Sequence, residues 1–283
     1  MNALELTAWI ALGTAAACWL TSVLTREYSW VDRLWSVVPV VYLWVFAAHA
    51  SSPRVTLMAC LVTVWGVRLT LNFARRGGYA PGGEDYRWAA LRARMPRWAF
   101  QVFNLGFIAG YQNLLLWLIT LPAWTAAQHP GPLGPLDALA TAAFVVLLAG
   151  ETVADQQRWD FHRTRTAGGA SGVLRTGLYR WSRHPNYFCE IAQWWVVFAF
   201  GAIAAGTPAL PTVAGPVLLT ALFVGSTVFT ESLSAGRYPD LDDYRRTTSA
   251  LVPWPPRTAL PADPVPTDPV RADPVPADSV PES

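Results

Sequence analysis

The chain has 283 residues, of which 53% are hydrophobic and only 14% are charged, and its formal net charge is +2. Apolar stretches of about twenty residues, the length that crosses the hydrocarbon core of a bilayer, recur along it. This composition excludes a soluble globular protein, and we expect no nucleic-acid partner. We predict an all-α fold, a polytopic membrane helix bundle of about seven transmembrane helices.

In chain order, seven membrane spans are predicted, and Pro39 interrupts the second of them. The spans are Leu4 to Leu24, Trp30 to Ala48, Val55 to Phe73, Phe100 to Trp124, Leu136 to Asp155, Tyr187 to Ala205 and Val213 to Glu231. They divide the chain into N-terminal helices (residues 1–127), C-terminal helices (128–256) and a tail (257–283). Because the tail repeats Ala-Asp-Pro-Val-Pro, and recurring proline blocks both helix and sheet, we predict that it is disordered.

All 21 basic residues are arginines, and most of them lie in two segments, residues 75–97 and 158–183. The connections at residues 126–135 and 206–212 contain none. The positive-inside rule therefore predicts that both arginine-rich segments are cytoplasmic, with the N-terminus outside and the C-terminus inside. Arginine also binds phosphate through two parallel hydrogen bonds, which makes these segments candidate sites for a phosphorylated cofactor, although the rule alone explains such clustering.

Polar side chains also occur inside the predicted spans. Glu151 and Asp155 share one helical face, and Asn186, Glu190 and Gln193 share another. An ionised group at mid-bilayer costs about 2.5–3.5 kcal/mol and seldom persists without a partner or a purpose. Hydrogen bonding between helices is one explanation. Because both faces approach the second arginine-rich segment, we predict a ligand site there.

The cysteines and histidines are dispersed along the chain. Cys18, Cys60 and Cys189 lie within predicted spans or at their mouths, and the four histidines lack the spacing of metal ligands. We therefore predict neither a disulfide framework nor a metal site.

A specific motif precedes and enters the sixth predicted span. Residues 177–190 read Gly-Leu-Tyr-Arg-Trp-Ser-Arg-His-Pro-Asn-Tyr-Phe-Cys-Glu. This segment resembles the signature of the steroid 5-alpha-reductase-like membrane proteins, whose bacterial branch is largely of unknown function. With shorter matching stretches, the resemblance covers roughly residues 26–256. Those stretches are residues 28–35, 65–69, 83–88, 151–156 and 244–256.

The resemblance implies a seven-helix enzyme that transfers hydride from NADPH to an activated carbon–carbon double bond of a membrane lipid or steroid-like enone. NADPH would bind in residues 128–256 and the substrate in residues 1–127. Carried over by position, the cofactor-binding residues are Glu151, Asp155, Arg180, Arg183, His184, Asn186, Tyr187, Glu190 and Glu231. The expected location is a bacterial inner membrane, with the cofactor site facing the cytoplasm.

The substrate side departs from the family pattern. Characterised steroid reductases hold the substrate carbonyl with a glutamate and a tyrosine, and this chain has no clear match to that glutamate. We expect Asp32, which lies beside Trp35, to act instead, because partial burial would raise its pKa and let it donate a hydrogen bond. An ion pair with Arg33 or Arg26, or a helix N-cap, is the alternative.

Two further residues fall near the family's substrate-contacting tyrosine and the arginine that follows it. These are Trp65 and Arg68, although a tryptophan cannot donate as a phenol does. Asp32 and Arg68 are thus the candidate catalytic residues, and Trp35 and Trp65 are the candidate substrate-binding residues. We expect a cavity bounded by Asp32, Arg68, Asn186 and Glu190.

Two other functions stay open. Residues 183–187 (Arg-His-Pro-Asn-Tyr) and residues 231–244 also resemble isoprenylcysteine carboxyl methyltransferase-like enzymes, in which they would bind S-adenosylmethionine. The segments around Asp32, Arg68 and Asp85 resemble the reductase-like branch instead. A non-catalytic lipid-binding protein with the same fold is the third possibility. The sequence does not predict the oligomeric state.

Overall fold

The computed structural model describes residues 1–166, 172–235, 238 and 240–257. In these ranges the chain is helical and contains no strand, which confirms the predicted all-α bundle. The α-helices are α1 (Ala3–Thr25), α2 (Trp30–Leu34), α3 (Val38–His49), α4 (Pro53–Arg75), α5 (Tyr86–Arg94), α6 (Arg97–Phe103), α7 (Gln112–Leu118), α8 (Leu121–Gln128), α9 (Pro135–Thr166), α10 (Pro185–Ala205), α11 (Ala214–Ala235) and α12 (Leu241–Thr247). A π-helix spans Asn104–Tyr111. The repeat in the predicted tail lies outside the described residues.

Six helical segments of the described chain are long and apolar enough to cross a membrane, and we conclude that this is an integral membrane protein. They are Ala3–Thr25, Pro53–Arg75, Arg97–Gln128, Pro135–Thr164, Pro185–Ala205 and Pro211–Ala235. Each corresponds to one predicted span. The predicted second span, Trp30 to Ala48, is instead divided between α2 and α3, which have five and twelve residues.

The interruption between α2 and α3 lies at residues 35–37, just before Pro39. Proline has no N–H for a helical hydrogen bond and is tolerated only in the first turn of a helix, which is where α3 begins. Gly66 of α4 lies against the break, because a Cβ atom added there would be 2.5 Å from the Ser36 carbonyl oxygen. The missing side chain therefore lets α4 pack against the interrupted segment.

The π-helix lies within the fourth predicted span, between α6 and α7. Its hydrogen bonds join residues five apart, which widens the turn. A Cβ atom added at Gly110 would be 2.8 Å from the Leu105 carbonyl oxygen, five residues earlier, so a glycine here avoids crowding within the turn. The Asn104 side-chain amide donates to Ser22 of the neighbouring α1 over 2.8 Å. A glycine and a hydrogen bond between helices thus accommodate the irregular turn.

Helix α10 is the central element of the C-terminal half. It packs along α8 and α9 and also contacts α4 and α11. Glycines permit the close approach, since a Cβ atom added at Gly201 would be 2.8 Å from the Pro122 carbonyl oxygen of α8. Membrane helices commonly associate through small residues in this way. The packing brings polar residues of α10 against α4 and α9.

Two sets of polar contacts join α4 to α9, one near the start of both helices and one near the end of α4. Because the paired residue numbers increase together, the two helices run parallel. At one end, Arg54 forms a buried, two-pronged ion pair with Asp137, with N–O distances of 2.6 and 2.9 Å. The Gly134 N–H also donates to Asp137, over 2.8 Å. At the other end, Arg75 donates to Gln156 over 2.7 Å. We call this second end the arginine-rich end, because both arginine-rich segments lie there.

Replacing Arg54 with alanine is predicted to destabilise the protein, because the Asp137 carboxylate would stay buried without its cation. Breaking a buried ion pair by removing one partner costs about 3–5 kcal/mol. Thermal unfolding of the purified protein in detergent measures the loss, with Arg97→Ala, a change at an exposed arginine, as the control. Adding Asp137→Asn to the Arg54→Ala chain should restore part of the stability. Equal stability of Arg54→Ala and the wild type would contradict this role.

Candidate functional site

A cluster of polar side chains lies inside the bundle near the arginine-rich end, and we call it the inner cluster. Its members are Trp65, Arg68 and Asn72 of α4, Glu151 and Asp155 of α9, and Asn186, Glu190 and Gln193 of α10. All are buried except Arg68, whose side chain is 12% exposed. Helical spacing places the members from each helix on one face. The structure thus brings six predicted site residues together.

Arg68 is the cation of the inner cluster. It donates one hydrogen bond to Asp155 over 2.7 Å and another to Glu151. Asp155 also accepts hydrogen bonds from Asn72, over 2.8 Å, and from Asn186, over 3.2 Å. One guanidinium group therefore serves two buried carboxylates and links α4 to α9, and Asn186 adds α10 to the network.

Glu190 is bound differently from the other two acids of the inner cluster. The Trp65 indole N–H donates to one of its carboxyl oxygens over 2.7 Å, and the Trp194 indole N–H donates to the other over 3.2 Å. Within the described residues Glu190 forms no salt bridge. Gln193, one turn further along α10, donates to Glu151 over 2.7 Å. Trp65, a candidate substrate-binding residue, is thus a hydrogen-bond donor to Glu190.

A cavity of about 510 Å³ adjoins the inner cluster on the side of the arginine-rich end. Its polar lining includes Tyr86, Arg158, Tyr179, Arg183, His184 and Glu231. Asp155 and Arg158 are one turn apart on α9, and Asn186 is two residues from His184, so the cluster lies directly beyond the cavity wall. None of the four residues expected to bound a cavity lines this one.

One wall of the cavity is held by a network of ion pairs around Glu231. Arg183 contacts its two carboxyl oxygens over 2.7 and 3.1 Å, and Arg245 contacts one of them over 2.9 Å. His184 also lies 3.1 Å from this carboxylate. Burial lowers the pKa of His184, which keeps the imidazole neutral near pH 7 and makes its ring N–H the donor. The network fastens the segment before α10 to α11 and α12.

Arg158 differs from Arg183, because it forms no salt bridge with any acid of the described residues. Its charged and polar neighbours are the hydroxyl groups of Tyr179, Tyr187 and Tyr86, together with Asp155 one turn away, which lies beyond salt-bridge distance. The buried Tyr179 hydroxyl also has no hydrogen-bond partner in that part of the chain. Burial raises the pKa of Tyr179 to about 12, so the hydroxyl stays protonated. The cavity therefore offers an arginine and a phenol that are available to an anion.

Asp32 belongs to a separate group of polar residues next to α5, which we call the Asp32 group and which contains Asp32, Asp85, Arg87 and Trp88. It accepts a hydrogen bond from the Trp88 indole over 2.9 Å. Asp85 and Arg87 form an adjacent ion pair at 2.7 Å, and Arg87 also reaches Ser226 of α11. Burial raises the pKa of Asp32, and the negative charge of Asp85 raises it further. Both effects favour the protonated form, which is the form that a carbonyl-holding group needs in order to donate a hydrogen bond.

The alternative roles of Asp32 do not match its contacts. Arg33 pairs with Glu27 at 2.8 Å, while Arg26 is exposed and ends α1. The N-cap of α2 is Ser29, and Asp32 lies in the first turn. Asp32 is therefore neither the cap residue nor the partner of Arg33.

The remaining predicted site residues lie in different parts of the structure. Tyr187 stacks on His184 with a ring separation of 5.2 Å, and its hydroxyl interacts electrostatically with both Arg158 of the cavity and Arg87 beside Asp32. Arg180 is exposed and does not line the cavity. Trp35 packs against the hydrophobic core beside the break before α3. Asp32 and Arg68, the two candidate catalytic residues, thus lie in different groups.

Several cavity-lining residues were not among the predicted site residues, and they include Arg158, Tyr179 and Tyr86. Arg158 continues the face of Glu151 and Asp155, and this spacing is the signal that marks it. Tyr179 lies within the motif at residues 177–190, but no spacing rule indicates that its hydroxyl enters a cavity.

The family described as "Protein of unknown function (DUF1295)" matches residues 18–249. The chain belongs to this family. It is also 36% identical over 244 residues to an uncharacterized protein of Schizosaccharomyces pombe, C594.04c, which corresponds to 78% of this chain and 71% of the yeast protein. No solved structure matches the chain significantly. The family match includes the inner cluster, the polar cavity lining and the Asp32 group.

Replacing Arg68 with methionine is predicted to destabilise the protein strongly, because Glu151 and Asp155 would lose their shared cation. The expected loss is about 3–5 kcal/mol, as for other broken buried pairs. Adding Glu151→Gln should recover part of it by removing one stranded charge. Arg97→Met, a change at an exposed arginine outside the cluster, is the control in thermal unfolding. A small, equal effect of Arg68→Met and Arg97→Met would show that the inner cluster does not hold the helices together.

Proposed function

We propose that this protein is a membrane reductase that uses NADPH to reduce an activated carbon–carbon double bond of a lipid or steroid-like enone. When bound, NADPH would supply the hydride. The chain would supply an anion-binding cavity, a group that holds the substrate carbonyl, and a dry site between helices. The likeness of residues 177–190 to the steroid 5-alpha-reductase-like proteins suggests this reaction, and the charge of the cavity supports it.

The observation that carries the proposal is the positive charge left in the cavity. Glu231, the acid in its lining, is already neutralised by Arg183 and Arg245, whereas Arg158 has no carboxylate partner within the described chain. Such a cavity suits a cofactor with several phosphate groups. S-adenosylmethionine carries a sulfonium cation and no phosphate, so the same charge disfavours a methyltransferase. Arg158 and Tyr179 would hold a phosphate, with Arg183 and His184 forming the wall.

We assign the substrate carbonyl to the Asp32 group. Helix α5 joins this group to the cavity, because Tyr86 lines the cavity and the next residue, Arg87, lies close to Asp32 and Tyr187. Reduction of an enone leaves negative charge on the carbonyl oxygen, and a protonated Asp32 beside Arg87 would stabilise that charge. The cofactor and substrate would thus meet across Tyr187.

A row of aromatic rings leads from the Asp32 group along the π-helix. Phe103 and Phe107 stack with centroids 4.9 Å apart, and Phe107 and Tyr111 stack at 5.3 Å. Trp88, which donates to Asp32, lies 6.5 Å from Phe103. These rings are half-buried on a membrane helix, so a flat, ring-containing lipid could pack along them. This row favours a polycyclic or aromatic substrate over a single acyl chain.

The positive-inside rule places the arginine-rich end, and with it the cavity, in the cytoplasm, where NADPH is available. The substrate would enter from the bilayer. We propose that the protein lies in a cellular membrane with its arginine-rich end in the cytoplasm. That this membrane is a bacterial inner membrane stays a prediction.

NADPH is predicted to raise the unfolding temperature of the purified protein in detergent, because a ligand that binds only the folded state stabilises it. At one hundred times its Kd the gain is about 2.7 kcal/mol. The Arg158→Ala variant should lose most of this gain. Arg163→Ala, which alters an exposed arginine on the same helix, should keep it. The measurement compares NADPH, NADH and S-adenosylmethionine with all three proteins.

The outcomes separate the candidate functions. Stabilisation by NADPH that depends on Arg158 supports the reductase. Stabilisation by S-adenosylmethionine alone would replace it with a methyltransferase, and stabilisation by neither would favour a lipid-binding protein. Arg180→Ala tests a residue carried over from the family pattern: because Arg180 is exposed outside the cavity, we expect NADPH to stabilise this variant as it does the wild type.

A further inference from the structure

The inner cluster contains more buried acids than cations. Its carboxyl groups are those of Glu151, Asp155 and Glu190, and the arginines within salt-bridge distance are Arg68 and Arg76. Arg76 reaches Asp155 over 3.2 Å from the arginine-rich end, where its side chain is 34% exposed. If all three acids were ionised, the cluster would carry a negative charge inside the membrane, where an uncompensated charge is strongly disfavoured.

The excess charge is concentrated on Glu151 and Glu190. Asp155 has two arginines within 3.2 Å, whereas Glu151 shares Arg68 and Glu190 has only the two indole N–H donors. The remaining ionisable neighbour from α10 is Cys189, a neutral thiol group, and it adds no positive charge. Arg158, further along α9, makes no salt bridge with these acids among the described residues.

Two buried amide oxygens of the inner cluster have no hydrogen-bond donor in the described structure. Asn186 and Gln193 are buried, with 7% and 1% exposure, and each donates its amide N–H into the cluster. Their side-chain oxygens have no hydrogen-bond partner in the described structure. Buried acceptors of this kind are costly unless an O–H or N–H group reaches them. A protonated carboxyl group, directly or through water, supplies such a donor.

We propose that Glu151 and Glu190 share one proton at neutral pH and that the inner cluster serves as a proton reservoir. A proton fits better than a metal cation, because the carboxyl oxygens already accept hydrogen bonds from Arg68, Gln193 and two indoles. It removes the excess charge and adds an O–H donor beside amide oxygens that have none, whereas the Arg68 Nε–H, which is also unpaired in the described structure, brings no further positive charge. One proton neutralises the excess whichever of the two acids holds it, so we assign it to the pair and not to one residue.

The use of this proton rests on the proposed reductase function. Reduction of a carbon–carbon double bond consumes a hydride, which brings two electrons and one hydrogen, and a proton. The hydride forms a C–H bond at one carbon, and the proton forms the second bond at the other carbon. The reservoir would release that proton towards the cavity, whose lining residue Arg158 is one turn of α9 from Asp155, and become negative by one charge. It would regain a proton from the cytoplasm through Asp155, whose partner Arg76 is partly exposed.

Infrared spectroscopy tests the reservoir without a substrate, because a protonated carboxyl group has a carbonyl stretch that a carboxylate lacks. The purified wild-type protein in detergent is expected to show this band at neutral pH and to lose it as the pH rises. Glutamate labelled with ¹³C in its carboxyl group should shift the band. This label separates the pair from Asp32, an aspartate that can also be protonated.

Variants then locate the proton. Glu151→Gln and Glu190→Gln should each abolish the glutamate band, because the two acids that remain balance Arg68 and Arg76. Asp160→Asn, a change of similar size at an exposed acid of α9, should leave it intact. Absence of a glutamate band in the wild type, or its persistence in both glutamine variants, would overturn the proposal. Stabilisation by sodium over choline chloride, with no band, would assign the site to a metal cation instead.

Comparing the infrared band with stabilisation by NADPH separates failure of the proton reservoir from failure of the proposed reductase function. A glutamate band in a protein that NADPH does not stabilise would leave the reservoir intact and refute its use in reduction. NADPH stabilisation without the band would leave the cofactor assignment and overturn the reservoir. Because the isotope label needs no mutation, neither conclusion depends on whether a variant folds.

Discussion

Hydrocarbon cannot solvate a charge, and the contacts of Arg68 follow from that constraint. Glu151 and Asp155 lie in a membrane-spanning helix, where each needs a partner inside the protein. Arg68 serves both acids, so α4 must stay against α9, and the amides of α10 must face the same point. The position of α10 then sets the position of the motif that precedes it. The cavity therefore depends on a contact that is not in its lining.

The arginines of the cavity divide between structure and binding. Arg183 is held by Glu231 and by carbonyl groups of residues 245 and 248, so its charge and its donors are largely used within the protein. Arg158 forms no salt bridge within the described residues. A substitution of Arg183 would therefore disturb the fold of the segment and the cavity together, whereas a change at Arg158 would remove cavity charge without breaking an ion pair of that part of the chain. This difference makes Arg158 the more informative residue for ligand binding.

Hydropathy predicted six of the spans well because each is a continuous apolar helix. For residues 30–48, Pro39 predicted an interrupted span, and the structure confirms the interruption by dividing the segment into α2 and α3. The space that Gly66 leaves beside the break could not be predicted, because Gly66 belongs to another helix. The acids in the spans were predictable because a carboxylate cannot face lipid. Their partners were not: Trp65 and Glu190 are 125 residues apart, and their contact depends on how α4 crosses α10. Likewise, only the fold shows that Glu231 pairs with Arg183, while Arg158 has no salt bridge to an acid of the described ranges.

The π-helix changes the direction in which the residues after it face around the helix axis, compared with a regular α-helix. Each residue of an α-helix advances about 100° around the axis, whereas a π-turn takes up additional residues before it returns to the same face. Loss of one residue between Asn104 and Tyr111 would turn everything after it relative to α6. Trp117 would then leave Thr7 of α1, to which it donates over 3.0 Å, while Phe103 kept its place. In an alignment of related chains, a one-residue gap in this stretch would thus mark a change of helix face.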